Sequence, residues 1–180
     1  MLRRLCAGDL IEFQAYRHDE EVALYQSWSP LPDSEATSFL DRMASAALFQ
    51  PGEWFQIAIA DRKTDTLIGD IGICIAPDGD EAEIGFTLRA QSQGIGLGTE
   101  AVSEAIAFIF EQTSVNQIVG ITDERNLPCI HLMERLGMRR VSSAEVVFRG
   151  DPCVELALSL SRPNPANKRV DTYQSNENRK

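Results

Sequence analysis

The residues with the clearest chemical purpose are Gln91-Ser-Gln-Gly-Ile-Gly-Leu-Gly-Thr-Glu100, where Gly94, Gly96 and Gly98 fall at alternate positions. Lacking Cβ atoms, these three let the backbone take positive φ and let a ligand approach closely. From Thr99 to Phe110 the chain has no breaker, and Val102, Ile106, Ile109 and Phe110 recur at helical spacing. The loop therefore opens a helix, whose unpaired N–H groups and dipole favour a phosphate or pyrophosphate. A glycine-rich turn that happens to precede a helix is the bland alternative for any such match taken alone. A nucleoside-triphosphate loop is excluded, because Gly98-Thr99 lacks the lysine that would reach the phosphates. A dinucleotide site wants its glycines straight after a strand, with an acid about 20 residues on. Asp123 or Glu124 could serve as that acid, but Arg89 to Gln93 separate strand from glycines, and the upstream strands come in hairpin order.

The elements that must position this loop follow from the hydrophobic period. Leu2 to Cys6 reads as a short edge strand, and a helical stretch from Gly8-Asp9 carries Leu10, Ile11, Phe13, Ala15 and Tyr16 as its apolar side. Glu20 to Tyr25 reads as a second turn or helix. Ser27-Trp28-Ser-Pro-Leu-Pro-Asp33 is a loop carrying an indole. Ser34 is expected to cap a helix that runs through Phe39, Leu40, Met43 and Leu48 and ends at Pro51-Gly52. The period then turns alternating: Trp54–Ala60, Leu67–Ile75 and Glu81–Leu88 form an antiparallel meander. Gln117 to Thr122 follows the central helix, so it should run parallel to the strand before that helix. Asn126 or Leu127 caps a second short helix, with Pro128 in its first turn and Gly137 closing it. Met138 to Phe148 and Cys153 to Leu160 form a hairpin about Arg149-Gly-Asp-Pro152. Residues 161–180 are polar and without a periodic face, and are expected to be a disordered tail after one domain spanning 1–160.

Composition narrows the class. In 180 residues, 43% hydrophobic and 24% charged, there is material for one well-covered core. A net charge of −10 argues against nucleic acid and for a cationic substrate or partner. Cys6, Cys74, Cys129 and Cys153 are scattered, with only His18 and His131 to help them, so neither a zinc site nor a disulfide framework is expected. Reduced thiols point to the cytoplasm. The amino terminus lacks the apolar core of a signal peptide, and no run approaches the roughly 20 apolar residues of a membrane helix.

The order of meander, glycine loop, helix, strand, Asn-led helix and hairpin resembles the GNAT superfamily of acyl-CoA-dependent N-acetyltransferases. Gln91-Ser-Gln-Gly94-Ile-Gly96 matches that family's Gln/Arg-x-x-Gly-x-Gly/Ala signature, and Asn126-Leu-Pro-Cys-Ile-His-Leu-Met-Glu-Arg-Leu-Gly137 matches its second. Ala82-Glu-Ile-Gly-Phe-Thr-Leu88, Glu100-Ala101 and Ala15 to Pro30 resemble the RimJ/RimL-like branch. The resemblance implies an α/β (α+β) fold: a mixed, mostly antiparallel twisted sheet of six or seven strands flanked by helices. It implies acetyl-CoA as acyl donor, no metal, and as acceptor a small-molecule amine, a polyamine or a protein N-terminus. It allows a homodimer.

Carried over by position, Gln91, Gln93, Gly94, Ile95 and Gly96 would hold the pyrophosphate through backbone N–H groups, with Leu97, Gly98 and Thr99 opening the helix beneath. Phe86, Thr87 and Leu88 would pair their backbone with the pantetheine arm, which Asn126 would also touch. Arg89, Arg125 or Arg135 could reach the 3′-phosphate. The acceptor must lose a proton before it attacks, since an aliphatic ammonium, pKa near 10, has no lone pair. Glu83 is the candidate base: it shares a strand face with Glu81, Gly85 and Thr87, away from the apolar side, where a solvated strand residue would also point. Many relatives place a tyrosine four residues before the closing glycine as acid; here that residue is Met133. Cys129 stands where RimJ/RimL-like relatives have a serine, as a candidate donor or a small packing residue. A covalent Cys129–His131 route has little support, because positions two apart on a helix diverge. Trp28 would line the amine pocket or pack beneath its loop. Two other classes stay beside the enzyme: a degenerate acyl-CoA-binding module, and more distantly a dinucleotide-binding oxidoreductase.

Overall fold

Alternating apolar residues in the middle of the chain build the framework onto which the rest folds. A computed structural model of the protein describes residues 1–164. Strands β1 (Leu2–Arg4), β2 (Trp54–Ala60), β3 (Leu67–Ile75), β4 (Glu81–Leu88), β5 (Gln117–Asp123), β6 (Arg139–Phe148) and β7 (Asp151–Ser161) form one sheet, ordered β1-β2-β3-β4-β5-β7-β6. Every neighbouring pair is antiparallel except β4 and β5. Those two run parallel because helix α4 (Leu97–Gln112) carries the chain back between them. The result is the expected mixed, seven-stranded sheet flanked by helices, in one domain.

Helices α1 (Leu10–Arg17), α2 (Glu20–Ala23), α3 (Asp33–Ser45) and α5 (Leu127–Arg135) complete the fold. β3 is buried along almost its whole length, as a strand covered on both faces must be. On β2, Ile57 and Ile59 pack with Val102, Ala105 and Ile109 of α4, while Ala58, on the opposite face, joins Phe13, Tyr16 and Leu40 of α1 and α3. Burial of each large aliphatic side chain contributes roughly 1.5–3 kcal/mol. That packing holds α4, and the glycine loop at its N-terminus, against the sheet.

The β4–β5 ladder is short. Glu81, Ala82 and Glu83 pair with Gln117, Ile118 and Val119, and the register stops there. Ile84 to Leu88 and Gly120 to Asp123 run on unpaired with each other, so the sheet opens into a wedge beside the glycine loop. Across β5, Gly120 lets α5 settle closely: an added Cβ would lie 2.5 Å from the Met133 sulfur.

Several boundaries move from the sequence reading, some for a local reason and some through a distant contact. α3 begins at Asp33, where the Pro32 carbonyl accepts the Ala36 N–H at 2.9 Å; Ser34 caps nothing. It ends at Ser45, because Phe49, at φ 58°, packs its ring 5.2 Å from both Phe55 and Phe108 and draws the chain out of helical conformation. The β6–β7 turn is only Arg149–Gly150, both at positive φ (53° and 91°), a pair that matches strand twist in a two-residue hairpin. Asp151 and Pro152 therefore belong to β7. At the other end Ser161 closes β7, and the Arg162 guanidinium donates to the carbonyls of Phe110, Thr113 and Val115. The polar segment expected from 161 thus starts with two residues engaged by the fold; positions 165–180 lie outside the described residues.

Candidate active site

The glycine loop leaves backbone N–H groups free at the start of α4. Gly94 and Gly96 sit at φ 75° and 90°, and an added Cβ at either would meet nothing within 4 Å, so glycine is required there by conformation rather than by space. Gly98 is required by space, since a Cβ would lie 2.9 Å from methyls of Leu88 and Leu132. The first α4 hydrogen bond at this end runs from Glu100 N–H to the Gly96 carbonyl at 3.1 Å. The N–H groups of Leu97, Gly98 and Thr99 consequently lack intrahelical acceptors. They open beside a cleft of about 640 Å³ that follows the wedge between β4 and α5.

Phe86, Thr87, Leu88, Gln93, Gly94, Gly96, Gly98, Thr99, Asn126 and Cys129 all line this cleft. Gln93 also donates from Nε2 to the Leu88 carbonyl at 2.8 Å, bracing the loop on β4. Gln91 and Ile95 are exposed and outside the lining. Leu97 turns to the other side of α4, into an 840 Å³ cavity against β1 and β2. Of the three arginines considered, Arg125 and Arg135 reach the cleft, whereas Arg89 donates to Ser92 Oγ at 2.9 Å.

Asn126 builds the opposite wall. Its Oδ1 accepts the Cys129 N–H at 3.3 Å, capping α5, and its Nδ2 donates to Thr122 Oγ1 at 3.2 Å. That cap places Cys129, half-buried, at the helix start. Burial pushes the Cys129 thiol up to about 11, against a smaller downward pull from the Thr122 hydroxyl, so it stays protonated at neutral pH. Met133, at 1% exposure, packs with Ile130, Met138 and Leu158 beneath β5 and β7, away from either cleft.

A second cleft, of about 580 Å³, lies beyond the first and holds Glu83 and Trp28. Its carboxylates differ in their partners. Asp70 meets the Arg17 guanidinium at 3.1 Å and accepts from the Tyr16 hydroxyl. Asp123 is held near 2 by the Arg125 guanidinium, 2.6 Å away. Glu83 and Glu155 meet no cation within salt-bridge distance among the described residues. Burial, and then the charges of Glu81 and Glu155, raise Glu83 above the ordinary carboxylate range. A half-buried carboxyl with a raised pKa, in a cleft short of positive charge, suits a group that accepts a proton from a cation.

The two clefts meet at Tyr25, Gln26, Phe86 and Thr87, which line both. Sequence reasoning singled out the two β4 residues and missed Tyr25 and Gln26. Nothing in their spacing marks them, because the chain after α2 reaches β4 only through tertiary folding. Trp54, Phe148 and Glu155 entered the second cleft unannounced for the same reason, although alternation on their strands already assigned each a face. Among the described residues no cluster of three or more His, Cys, Asp or Glu could hold a metal ion, and no helix is long and apolar enough to cross a membrane.

This arrangement can be set against known proteins. Residues 1–139 match the family model described as acetyltransferase (GNAT) domain. An uncharacterized N-acetyltransferase p20 of Bacillus licheniformis is 28% identical over 141 residues, covering 77% of this chain and 78% of the relative. A GNAT-family acetyltransferase of Bacillus anthracis superposes with a TM-score of 0.78 at 17% identity, over 89% of this chain and 93% of its own. The spermidine N-acetyltransferase of Vibrio cholerae, solved with CoA and spermine, gives 0.76 at 17% identity, over 89% and 94%. Since the family model runs unbroken through β1 to the start of β6, and so through nearly every element that forms the two clefts, the chain belongs to the GNAT acetyltransferase domain family.

Proposed function

We propose that the chain transfers the acetyl group of acetyl-CoA to a primary amine by direct attack in a ternary complex. The observation that carries this reading is the meeting of two clefts at Phe86 and Thr87, one floored by unpaired helix N–H groups, the other holding Glu83. When bound, acetyl-CoA supplies a thioester whose acetyl carbon passes to the amine nitrogen as the C–S bond breaks. Gln93 to Thr99 would receive its pyrophosphate, and the unpaired half of β4, with Asn126, its extended arm. Glu83 would accept the ammonium proton directly or through water, and Cys129, protonated and at a helix N-terminus, would return one to the departing thiolate.

The unpaired carboxylates favour a cationic acceptor. A polyamine, as for the Vibrio cholerae neighbour, a protein N-terminus in the manner of the RimJ/RimL-like branch, or another small amine each fits. A cytoplasmic setting is proposed on four cysteines that pair with no partner. Met133 favours a second reading, a binding module without turnover, since a buried thioether replaces the hydroxyl acid of many relatives. One assay separates them. Free thiol should appear when acetyl-CoA is mixed with an amine panel; heat of acetyl-CoA binding with no thiol across the panel identifies the binding module.

A further inference from the structure

Tyr25 and Gln26 wall both clefts and Ser27 and Trp28 the second, yet the stretch from Tyr25 to Pro32 belongs to no helix or strand: α2 ends at Ala23 and α3 begins at Asp33. With Pro30 and Pro32 unable to donate, side chains from elsewhere must hold it. Gln14 secures its far end through the Leu31 carbonyl at 2.6 Å. From below, the buried Arg17 guanidinium lies between rings, 4.3 Å from Trp28 and 4.4 Å from Phe13, tied to Asp70. From above comes a residue more than a hundred positions away. Arg149 Nη2 donates to the carbonyls of Gln26 at 2.9 Å and Trp28 at 2.7 Å.

Arg149 is placed for this by the tight turn it shares with Gly150, and its guanidinium carbon lies 5.3 Å from the ring of Phe148, itself a wall of the second cleft. The hairpin and the loop are thereby closed into one ring around the amine cleft. Gln26, gripped by its carbonyl, reaches inward and donates from Nε2 to the Phe86 carbonyl at 3.4 Å, on the unpaired half of β4.

We infer that Arg149 is a positioning residue that latches the Trp28 loop to the β6–β7 hairpin and so sets the acceptor side of the site. The inference rests on the acetyl-transfer reading for its kinetic consequence, and on geometry alone for the latch. The test compares wild type, Arg149→Ala and Arg149→Lys, by separate KM values for amine and acetyl-CoA. The same three are then made in a Trp54→Phe background, where Trp28 is the remaining tryptophan of the two, and quenched with acrylamide. Arg149→Ala should raise the amine KM about tenfold, the size of one or two lost charge-assisted hydrogen bonds at an exposed site. The acetyl-CoA KM should stay within about twofold, since the loop from Gly94 to Thr99 is untouched, and Trp28 should become more quenchable. Arg149→Lys, retaining a cationic donor, should recover most of both effects. Unchanged amine KM and unchanged quenching would overturn the latch, as would equal losses for both substrates accompanied by a lower Tm. If wild type acetylates no amine, the acetyl-transfer reading fails by itself, and the quenching comparison still decides the latch.

Discussion

Replacing Glu83 by glutamine removes the charge and the basic oxygen while keeping shape, and the structure assigns opposite signs to its effects on activity and on stability. A positioned general base contributes roughly 10²–10⁴ in rate, about 2.7–5.4 kcal/mol of barrier. Glu83→Gln should lower kcat by that range, measured by thiol release at saturating acetyl-CoA and amine. The pH profile carries the sharper signature. Burial and the neighbouring Glu81 and Glu155 raise the folded-state pKa of Glu83. Wild-type kcat should therefore fall on the acid side with a midpoint above the ordinary carboxylate value of about 4.3, and the variant should lose that limb. For stability, a carboxyl that binds its proton more tightly when folded contributes stabilisation that is present at low pH and lost as pH rises through the raised pKa. Glutamine has no proton to lose. The variant should thus gain stability relative to wild type as pH rises from about 4 towards neutrality, read as denaturant midpoints across that interval. A variant within about threefold of wild-type kcat that keeps the acid limb would refute Glu83 as the base. A stability difference that does not change with pH would refute the account of its environment.

Substitutions at three further positions probe the donor side. Gly96→Ala should cost about 1–2 kcal/mol of stability, from placing a Cβ at φ 90° with no new clash, and should weaken acetyl-CoA binding in calorimetry because it strains the loop proposed to receive the pyrophosphate; unchanged affinity would remove the loop from the binding account. Asn126→Ala should lower stability by about 1 kcal/mol, a Tm loss of about 2–4 °C, whereas Asn126→Asp, keeping the cap acceptor, should stay near wild type. Cys129→Ala should slow thiol release more than Cys129→Ser, since serine restores a donor at the helix start, while a small packing residue would tolerate both alike.

The sequence carried the three meander strands to the residue, because alternation reports directly which side chains face a core. It carried the glycine loop and the helix that the loop opens too, since Gly94 and Gly96 take positive φ immediately before an unbroken run from Leu97. At two of the boundaries it misplaced, a distant contact was responsible. Phe49 leaves α3 for Phe55 and Phe108, and Arg162 is retained by the carbonyls that end α4 and precede β5. Gln91 and Ile95 are exposed and Leu97 faces the opposite cavity, side-chain directions that a motif read for its backbone N–H groups does not specify.

Local order, then, was written in the chain: strand faces, the Asn126 cap of α5, the glycines that free the backbone, and the face of β4 that carries Glu83. What only the tertiary structure decided is how far β4 and β5 stay paired, which acids find cations, and which loop walls the second cleft. Each of those depends on groups remote in sequence, as with Arg17 satisfying Asp70 while Glu83 goes without, or Arg149 reaching the carbonyl of Trp28. Hydrophobic period is a property of neighbours along the chain, whereas charge neutralisation and cleft shape are properties of neighbours in space.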